Sequence, residues 1–205
     1  MKLKIRDRLR TRLGTYAPLK LAIVAVVLGL LIGAGGLAAT ATALAWTNTE
    51  QFCIGCHEMK NNVYAEYKGT IHDTNRTGVR AICSDCHVPK EIGPKLVRKV
   101  HATWELYGAM IGKINTKEKF EAHRHEMAVR VWTSMKETDS RECRNCHTRD
   151  AMSKDLQSQK AQARHATAVK DGKTCVECHF GIAHKEPDGP GPKELFSTSK
   201  QAPAP

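Results

Sequence analysis

Four short cysteine–histidine motifs carry the chemistry that this sequence can be expected to perform. Each has the pattern C-x-x-C-H, and together they use all eight cysteines of the 205-residue chain. Two thiols at this spacing can attach one haem covalently, and the histidine that follows can bind its iron. The pattern therefore predicts four haems c. The motif residues are Cys53, Cys56 and His57; Cys83, Cys86 and His87; Cys143, Cys146 and His147; and Cys175, Cys178 and His179.

Zinc sites and disulfide bonds are the two other common uses of paired cysteines. A structural zinc site joins two C-x-x-C pairs around one tetrahedral ion and does not need a histidine after each pair. A disulfide across C-x-x-C is a redox device, and four of them in one chain would be unusual. Four repeats with no cysteine left over favour haem attachment over both.

The supply of histidine predicts how the irons are ligated. Four irons have up to eight axial positions, and six of the ten histidines lie outside the motifs. Ligation by two histidines gives low-spin haems that carry electrons and exclude substrates. His72 and His165 precede the second and fourth motifs by 11 and 10 residues, and His184 follows the fourth, so we expect these three to be ligands. The others, which we expect to be surface or propionate-bonding residues, are His101, His123 and His125.

The first motif differs from the other three because Met59 follows its histidine by two residues. His57 and Met59 are too close in sequence to occupy opposite faces of one haem. Either side chain could be the iron ligand, with the methionine otherwise only packing against the haem. The residues by themselves leave both possibilities open.

A long uncharged segment precedes the first motif. Residues 21–46 carry no charge, and roughly 39 Å of helix at 1.5 Å per residue can span a bilayer. Residues 1–20 hold a net charge of +6 out of +11 for the chain, which predicts a cytoplasmic N-terminus. A cleaved signal peptide is the alternative, because residues 43–45 resemble a cleavage site, but its apolar core would be shorter. In both cases the motifs lie outside the cytoplasmic (inner) membrane, where Gram-negative bacteria attach haem c.

Charge and glycine spacing indicate possible partners. The charge beyond residue 20 is +5, and roughly eight haem propionates would offset much of it. A nucleic-acid surface is disfavoured because the strongest basic cluster adjoins the apolar segment. Gly29 and Gly33 form a G-x-x-x-G pair that could support a homo-oligomer through the membrane helix.

Motif spacing predicts the fold class, a mainly α, loop-rich multihaem cytochrome c. The first two motifs are 30 residues apart, the last two 32, and the middle pair 60, which suggests two di-haem halves. Aromatic residues make up only 5% of the chain, so we expect haem to supply much of the core. The predicted segments are a basic segment, 1–20; an anchor, 21–46; a periplasmic domain, 47–186, with halves at about 47–93 and 139–186 and an insert at 94–138; and a disordered tail, 187–205.

The insert has the periodicity of two helices that bury apolar faces. Asn115 and Glu118 are spaced as a capping pair for the second helix. Trp132 is expected beside its apolar face. The predicted faces, which we expect to pack on haem, consist of Leu96, Val100, Trp104, Tyr107 and Ile111 in the first helix and of Phe120, Met127, Val131 and Met135 in the second.

These features together resemble the NapC/NirT family of membrane-anchored tetrahaem quinol dehydrogenases. The shared features are the single anchor, the C-x-x-C-H-x-M form of the first motif, Cys-His-Val-Pro at 86–89, Glu-Cys-Arg-Asn-Cys-His at 142–147 and Cys-His-x-Gly-Ile-Ala-His at 178–184. The length and the motif count resemble the members that feed a periplasmic nitrate reductase. Longer relatives with a fifth haem domain fit less well.

The resemblance implies a quinol site beside the first haem. It implies that Met59, not His57, binds the first iron and leaves the opposite face near the quinol. It also implies an acid and a lysine on the helix after the second motif, at positions that match Glu105 and Lys99 here. Arg98 or Lys95 could take the role of the lysine. By the same resemblance, the second, third and fourth haems receive their distal ligands from His165, His72 and His184, respectively.

The predicted function is oxidation of membrane quinol, either menaquinol or ubiquinol. Electrons would pass singly through four haems to a periplasmic reductase or cytochrome, with the periplasmic nitrate reductase system as the expected acceptor. One alternative is a soluble tetrahaem shuttle after signal cleavage. Others are a terminal reductase of nitrite or a similar molecule, which the histidine supply disfavours, and a non-catalytic scaffold or haem-based sensor.

Overall fold

The protein is described by a computed structural model that covers the backbone of residues 2–197 and the side chains of residues 18–197. Those residues form helices and loops without any strand, which confirms the predicted mainly α class. The chain divides into two compact units, Met1–Thr47 and Asn48–Pro205. The first unit is one long helix, and the second holds all four motifs.

Helix α1, Lys2–Trp46, forms the first unit. The helix begins well before the predicted anchor and includes the predicted basic segment. The side chains of residues 1–17 lie outside the described residues. Its apolar portion, Pro18–Trp46, has 29 residues and a mean hydropathy of 2.6, so it is long and apolar enough to cross a membrane.

Small and polar residues inside this span suit an apolar surrounding. The hydroxyls of Thr40 and Thr42 donate to main-chain carbonyls four residues earlier at 2.9 Å, which satisfies them within the helix. A Cβ added at Gly29 or Gly33 would meet no described atom within 4 Å, so the predicted packing stripe is open. Association through these glycines stays a prediction.

Short capped helical turns carry the haem motifs. Thr49, Asp85 and Glu177 each accept a main-chain N–H three residues away, at 3.2, 2.9 and 2.8 Å. These caps satisfy N–H groups that a short helix leaves without an internal partner. The elements that contain motif residues are α2 (Glu50–Cys53), α3 (His57–Met59), α5 (Cys83–His87), α8 (Arg141–Arg144) and a 3-10 helix (Cys175–Glu177). A π-helical turn (Lys60–Tyr64) and α4 (Ala65–Tyr67) follow the first motif.

Two long helices, α6 (Ile92–Met110) and α7 (Lys117–Glu137), occupy the predicted insert. Pro94 is the third residue of α6, where a main-chain N–H has no partner inside the helix, so proline does not interrupt it. The predicted cap of α7 was wrong by one residue. Thr116, not Asn115, caps the helix, and its hydroxyl accepts a main-chain N–H at 3.3 Å.

The two long helices differ in what they bury. In α7, Phe120 is only 2% exposed and Trp132, which we expected beside the apolar face, is 8% exposed. In α6 the predicted apolar face is not covered by other described residues of the protein, because every residue of that face is between 45% and 72% exposed. The helix turns its side of small and charged residues inward instead, and Arg98, Ala102 and Ala109 are half-buried.

Arg124 on α7 joins three separate segments through one buried guanidinium. Its side chain is 8% exposed and pairs with Glu66 of α4 at 2.7 Å and with Glu121 of its own helix at 2.7 Å. It also donates to the main-chain carbonyl of Lys185 at 3.4 Å. The same guanidinium lies 5.0 Å from the centre of the Phe120 ring. This arrangement connects α4, the insert and the segment after the fourth motif.

We expect Arg124→Ala to destabilise the haem-motif unit by about 2–3 kcal/mol, because it leaves two carboxylates without their buried partner. A change of that size lowers the melting temperature by roughly 4–12 °C in a protein of this length. Thermal unfolding followed by circular dichroism measures it. Arg130→Ala is the matched control, since Arg130 pairs with Glu126 on the same helix at the surface and should cost about 1 kcal/mol or less. Equal losses in both variants would contradict the assignment.

The predicted disordered tail was wrong for its described part. Helix α10, Pro192–Ser197, follows the proline- and glycine-rich loop, and Pro192 is buried. His125 Nε2 hydrogen-bonds the Pro190 carbonyl at 3.0 Å, and Lys136 Nζ lies 4.1 Å from the centre of the Phe196 ring. The loop prolines restrict the backbone without preventing these contacts. Residues 198–205 lie outside the described residues.

Candidate haem-binding site

Three pairs of histidines face each other in the haem-motif unit. In each pair one ring belongs to a C-x-x-C-H motif and the other lies outside the motifs. An iron with about 2.0–2.1 Å bonds to an imidazole on either side would hold the two ring centres roughly 6 Å apart. The observed ring-centre distances and interplanar angles are 6.1 Å and 84° for His72–His147, 6.2 Å and 24° for His87–His184, and 6.1 Å and 43° for His165–His179.

These contacts change two of the three expected pairings. The structure keeps His72 with the third motif, but it places His184 beside His87 of the second motif and His165 beside His179 of the fourth. The resemblance implied the opposite arrangement for His165 and His184. The reason is the position of the segment after the fourth motif, which Arg124 holds next to α4, so His184 lies in the first half of the domain.

Hydrogen bonds fix the ring orientation of two of the three paired histidines outside the motifs, which we call the outer histidines. Nδ1 of His184 faces the Val63 carbonyl at 3.0 Å, and Nδ1 of His165 faces Oε1 of Gln157 at 2.7 Å. Both partners only accept, so Nδ1 carries the proton and Nε2 keeps its lone pair for a metal. Nδ1 of His72 is buried without a hydrogen-bond partner among the described residues. The sequence contained no signal for these outer partners.

Burial favours the neutral state, which is the state that binds iron, in three of the paired rings, those of His87, His179 and His184. Burial, together with smaller contributions from the neighbouring His184 and Arg98, lowers the pKa of His87 to about 4. Burial is also the main reason that the pKa values of His179 and His184 lie below the usual range. A neutral imidazole offers a lone pair across the physiological pH range.

The cysteines of successive motifs lie next to one another. The Cys53 and Cys83 thiols hydrogen-bond each other, and this contact lowers the pKa of Cys53 to about 7, with the charge of Lys99 contributing. Helix α5, which carries the second motif, packs against α2 of the first and α8 of the third. Burial raises the pKa of Cys143 to about 11, and Cys175 adds to the shift. The four motifs therefore follow one another in space as they do along the chain.

The first motif lacks the arrangement that the other three share. The His57 side chain is 64% exposed, and its Nε2 lies 3.1 Å from the Asn115 carbonyl. A carbonyl only accepts, so Nε2 must carry the proton and has no lone pair for iron. His57 and Glu58 line a cleft of about 330 Å³ with residues 114–117. Of the two alternative iron ligands at this motif, His57 and Met59, His57 is therefore the less available to a metal.

The acid and the cations proposed for the quinol site lie on α6. Glu105 is 60% exposed and pairs with Arg98 at 3.0 Å, and Arg98 also donates to the His87 carbonyl at 3.3 Å. Seven residues separate Arg98 from Glu105, so they share a helix face, whereas Lys99 lies roughly 120° around the axis from Glu105. The charge of Lys99 instead contributes to the lowered pKa of Cys53, the first cysteine of the first motif.

Comparison with known proteins identifies the family of this chain. The sequence profile described as NapC/NirT cytochrome c family, N-terminal region, matches residues 17–189. The chain belongs to the NapC/NirT cytochrome c family. The matched region includes all four motifs and the apolar part of α1. Membership in the NapC/NirT family implies bound haem c and electron transfer, and Pro18–Trp46 fits the membrane anchoring of these cytochromes at the bacterial inner membrane.

Individual NapC/NirT relatives cover most of the chain. The denitrification system component NirT of Stutzerimonas stutzeri is 54% identical over 167 residues, which are 82% of this chain and 81% of NirT. The cytochrome c-type protein NapC of Escherichia coli K12 is 54% identical over 147 residues, which are 72% of this chain and 74% of NapC. The cytochrome c-type protein TorY of Escherichia coli O157:H7 is 42% identical over 82% of this chain but only 46% of its own length. No solved structure matches the chain.

Proposed function

We propose that this protein oxidises membrane quinol and passes the electrons singly through four haems c to a periplasmic reductase. The observation that carries the proposal is the contrast between three paired-histidine sites and a first site that lacks such a pair. Paired histidines suit electron carriers that exclude substrate, whereas a site with one weak ligand can admit a reactant. The eight motif cysteines hold the four haems, which supply reversible one-electron transfer when bound.

The ligand set follows from the ring contacts. His87 and His184 hold the second haem, His147 and His72 the third, and His179 and His165 the fourth. Met59 binds the first haem, because Nε2 of His57 is occupied by a main-chain carbonyl. A terminal reductase would need an open iron at one of the three paired sites, and the pairing disfavours that alternative.

The residues of α6 supply the proton chemistry. Quinol oxidation releases two protons together with two electrons, so a base near the first haem is required. Glu105 is exposed enough to pass a proton to water, and its 3.0 Å ion pair with Arg98 fixes the carboxylate in position. Lys99, whose charge acts on Cys53, is placed to orient a quinol oxygen beside the first haem.

The basic N-terminal segment favours a cytoplasmic N-terminus, which leaves the haem-motif unit in the periplasm. The periplasmic nitrate reductase system is the first candidate acceptor, by the likeness to the NapC proteins. Another reductase of denitrification is the second candidate, because the NirT relative is equally similar.

Three measurements on the full-length purified protein test the proposal. Its intact mass should contain the anchor and four haems, and a pyridine haemochrome assay should give four haems per chain. In liposomes, a menaquinol or ubiquinol analogue should reduce the haems at a rate that depends on quinol concentration. Two or three haems would refute the stoichiometry, a mass without the N-terminal segment would favour the soluble shuttle, and a complete lack of quinol-driven reduction would favour the scaffold or sensor.

A further inference from the structure

Helix α6 has a continuous apolar surface that no other described residue of the haem-motif unit covers. At 100° per residue, eight large apolar side chains fall within an arc of about 140° around the helix axis. Each is between 45% and 72% exposed. We call this surface the α6 apolar face. Its residues are Ile92, Leu96, Val97, Val100, Trp104, Tyr107, Met110 and Ile111.

The orientation of α6 is the reverse of that expected for a helix on a globular domain. Such a helix normally buries its apolar stripe and exposes its charges. Here the half-buried side is formed by small and charged residues, among them Arg98, Ala102 and Ala109. Helix α7 of the same unit follows the normal rule, since it buries Phe120 and Trp132. An exposed apolar surface of this extent marks an interaction site.

The charges around the α6 apolar face indicate what it contacts. The helix contains one acidic residue, Glu105, which lies on the other side and is paired with Arg98. Lys95 and Lys99 follow one border of the face, and Lys113 comes just after its C-terminal end. Trp104 and Tyr107, within the face, are the aromatic types that prefer a membrane–water interface. Apolar residues bordered by lysines are typical of helices that lie in the surface of anionic membranes.

Chain connectivity supplies a bilayer within reach. The haem-motif unit begins at Asn48, immediately after a helix that can span a membrane and ends at Trp46. Tethering removes most of the entropic cost of bringing the unit to the membrane, so a modest apolar contact is enough to hold it there.

We propose that the α6 apolar face lies in the surface of the membrane that holds the anchor and binds its anionic lipids. Lys95 and Lys113 can extend their apolar stems along the edge of the face and place their ammonium groups among lipid phosphates, whereas Lys99 is directed at the first motif. The face then gives the haem-motif unit a second attachment besides α1. The inference does not depend on quinol oxidation, because lipid contact is measured without turnover.

Photo-crosslinking of the full-length haem-loaded protein in its native membranes tests the proposal. We expect the photoreactive residue p-benzoylphenylalanine in place of Trp104 to form adducts mainly with lipid. The control carries the same group in place of Val169 on α9, Gln159–Lys170, where the side chain is 54% exposed. It should give few lipid adducts. Adducts at position 104 mainly with a second copy, with another protein, or with the chain's own haem or residues would overturn the proposal, as would equal lipid labelling at both positions.

Hydrogen exchange of the unaltered protein tests the preference for anionic lipid. Full-length protein is placed in nanodiscs of phosphatidylcholine or of an equal mixture with phosphatidylglycerol. Amides of residues 92–111 should exchange about fivefold more slowly in the mixture, because lysines near the surface gain affinity for anionic headgroups. Amides of α7 should not differ between the two. Equal exchange of residues 92–111 in both nanodiscs would contradict anionic recognition.

Discussion

Replacement of His72 by alanine should abolish the most anisotropic low-spin haem signal in the electron paramagnetic resonance spectrum and create a high-spin signal. The rings of His72 and His147 are nearly perpendicular, at 84°. Perpendicular imidazole planes leave the two iron d orbitals that bond with them almost equal in energy, which gives a strongly anisotropic signal. Loss of one histidine weakens the ligand field, so the iron becomes high-spin.

Replacement of each of the other two outer histidines by alanine should remove a different low-spin signal from the electron paramagnetic resonance spectrum. His184→Ala should remove a rhombic low-spin signal, because its ring is only 24° from that of His87. His165→Ala should remove a signal of intermediate anisotropy, since its ring is 43° from that of His179. His101→Ala is the control and should leave the spectrum unchanged. An unchanged spectrum for His165→Ala would overturn its assignment as a ligand.

A double variant tests which motif His165 serves. A protein in which Cys175 and Cys178 are both replaced by serine should lack the fourth haem. Adding His165→Ala to it should then produce no new high-spin signal, whereas adding His184→Ala still should. The pairing implied by the resemblance predicts the opposite result for both additions.

Replacement of Glu105 by glutamine should slow quinol-driven haem reduction by about 10²–10⁴-fold, the usual contribution of a general base. Glutamine keeps the shape and the contact with Arg98 but cannot accept the proton. Stopped-flow reduction by quinol in liposomes measures the rate. Haem content, reduction by dithionite and electron flow from artificial donors to the partner should remain at wild-type levels, because Glu105 is not a proposed ligand.

Glu126→Gln is the matched control for this prediction. Glu126 is also an exposed carboxylate paired with an arginine on a long helix, but it lies on α7. Its replacement should leave the quinol rate unchanged. If the Glu105→Gln variant oxidises quinol at the wild-type rate over a range of pH, the proton acceptor is not Glu105. Glu58 is then the next candidate.

The two cations of α6 can be separated by the same assay. Arg98→Gln should lower the rate because it removes the ion pair that positions Glu105. Lys99→Met should lower it because a donor beside the first motif is lost. A loss confined to Arg98→Gln would show that the ion pair matters and that Lys99 does not contact quinol.

Local features of this protein could be read from sequence because neighbouring residues determine them. Two cysteines and a histidine within five positions can meet one haem in almost any fold, so the motifs are readable without tertiary information. The apolar run in α1 and the periodicity of α6 and α7 are likewise properties of contiguous residues. The short range of these interactions is why the fold class and both insert helices could be predicted.

Tertiary structure alone decided which distant side chains meet. His184 and His165 are equally plausible partners for the second and fourth motifs in sequence, and only the path of the chain after the fourth motif separates them. That path depends on Arg124, whose partners come from three segments. The outward turn of the α6 apolar face was also unpredictable, because periodicity shows that a helix has an apolar side but not what that side contacts. Sequence by itself therefore determined the four C-x-x-C-H motifs and the helices, and long-range packing decided the histidine pairs and the exposed surfaces.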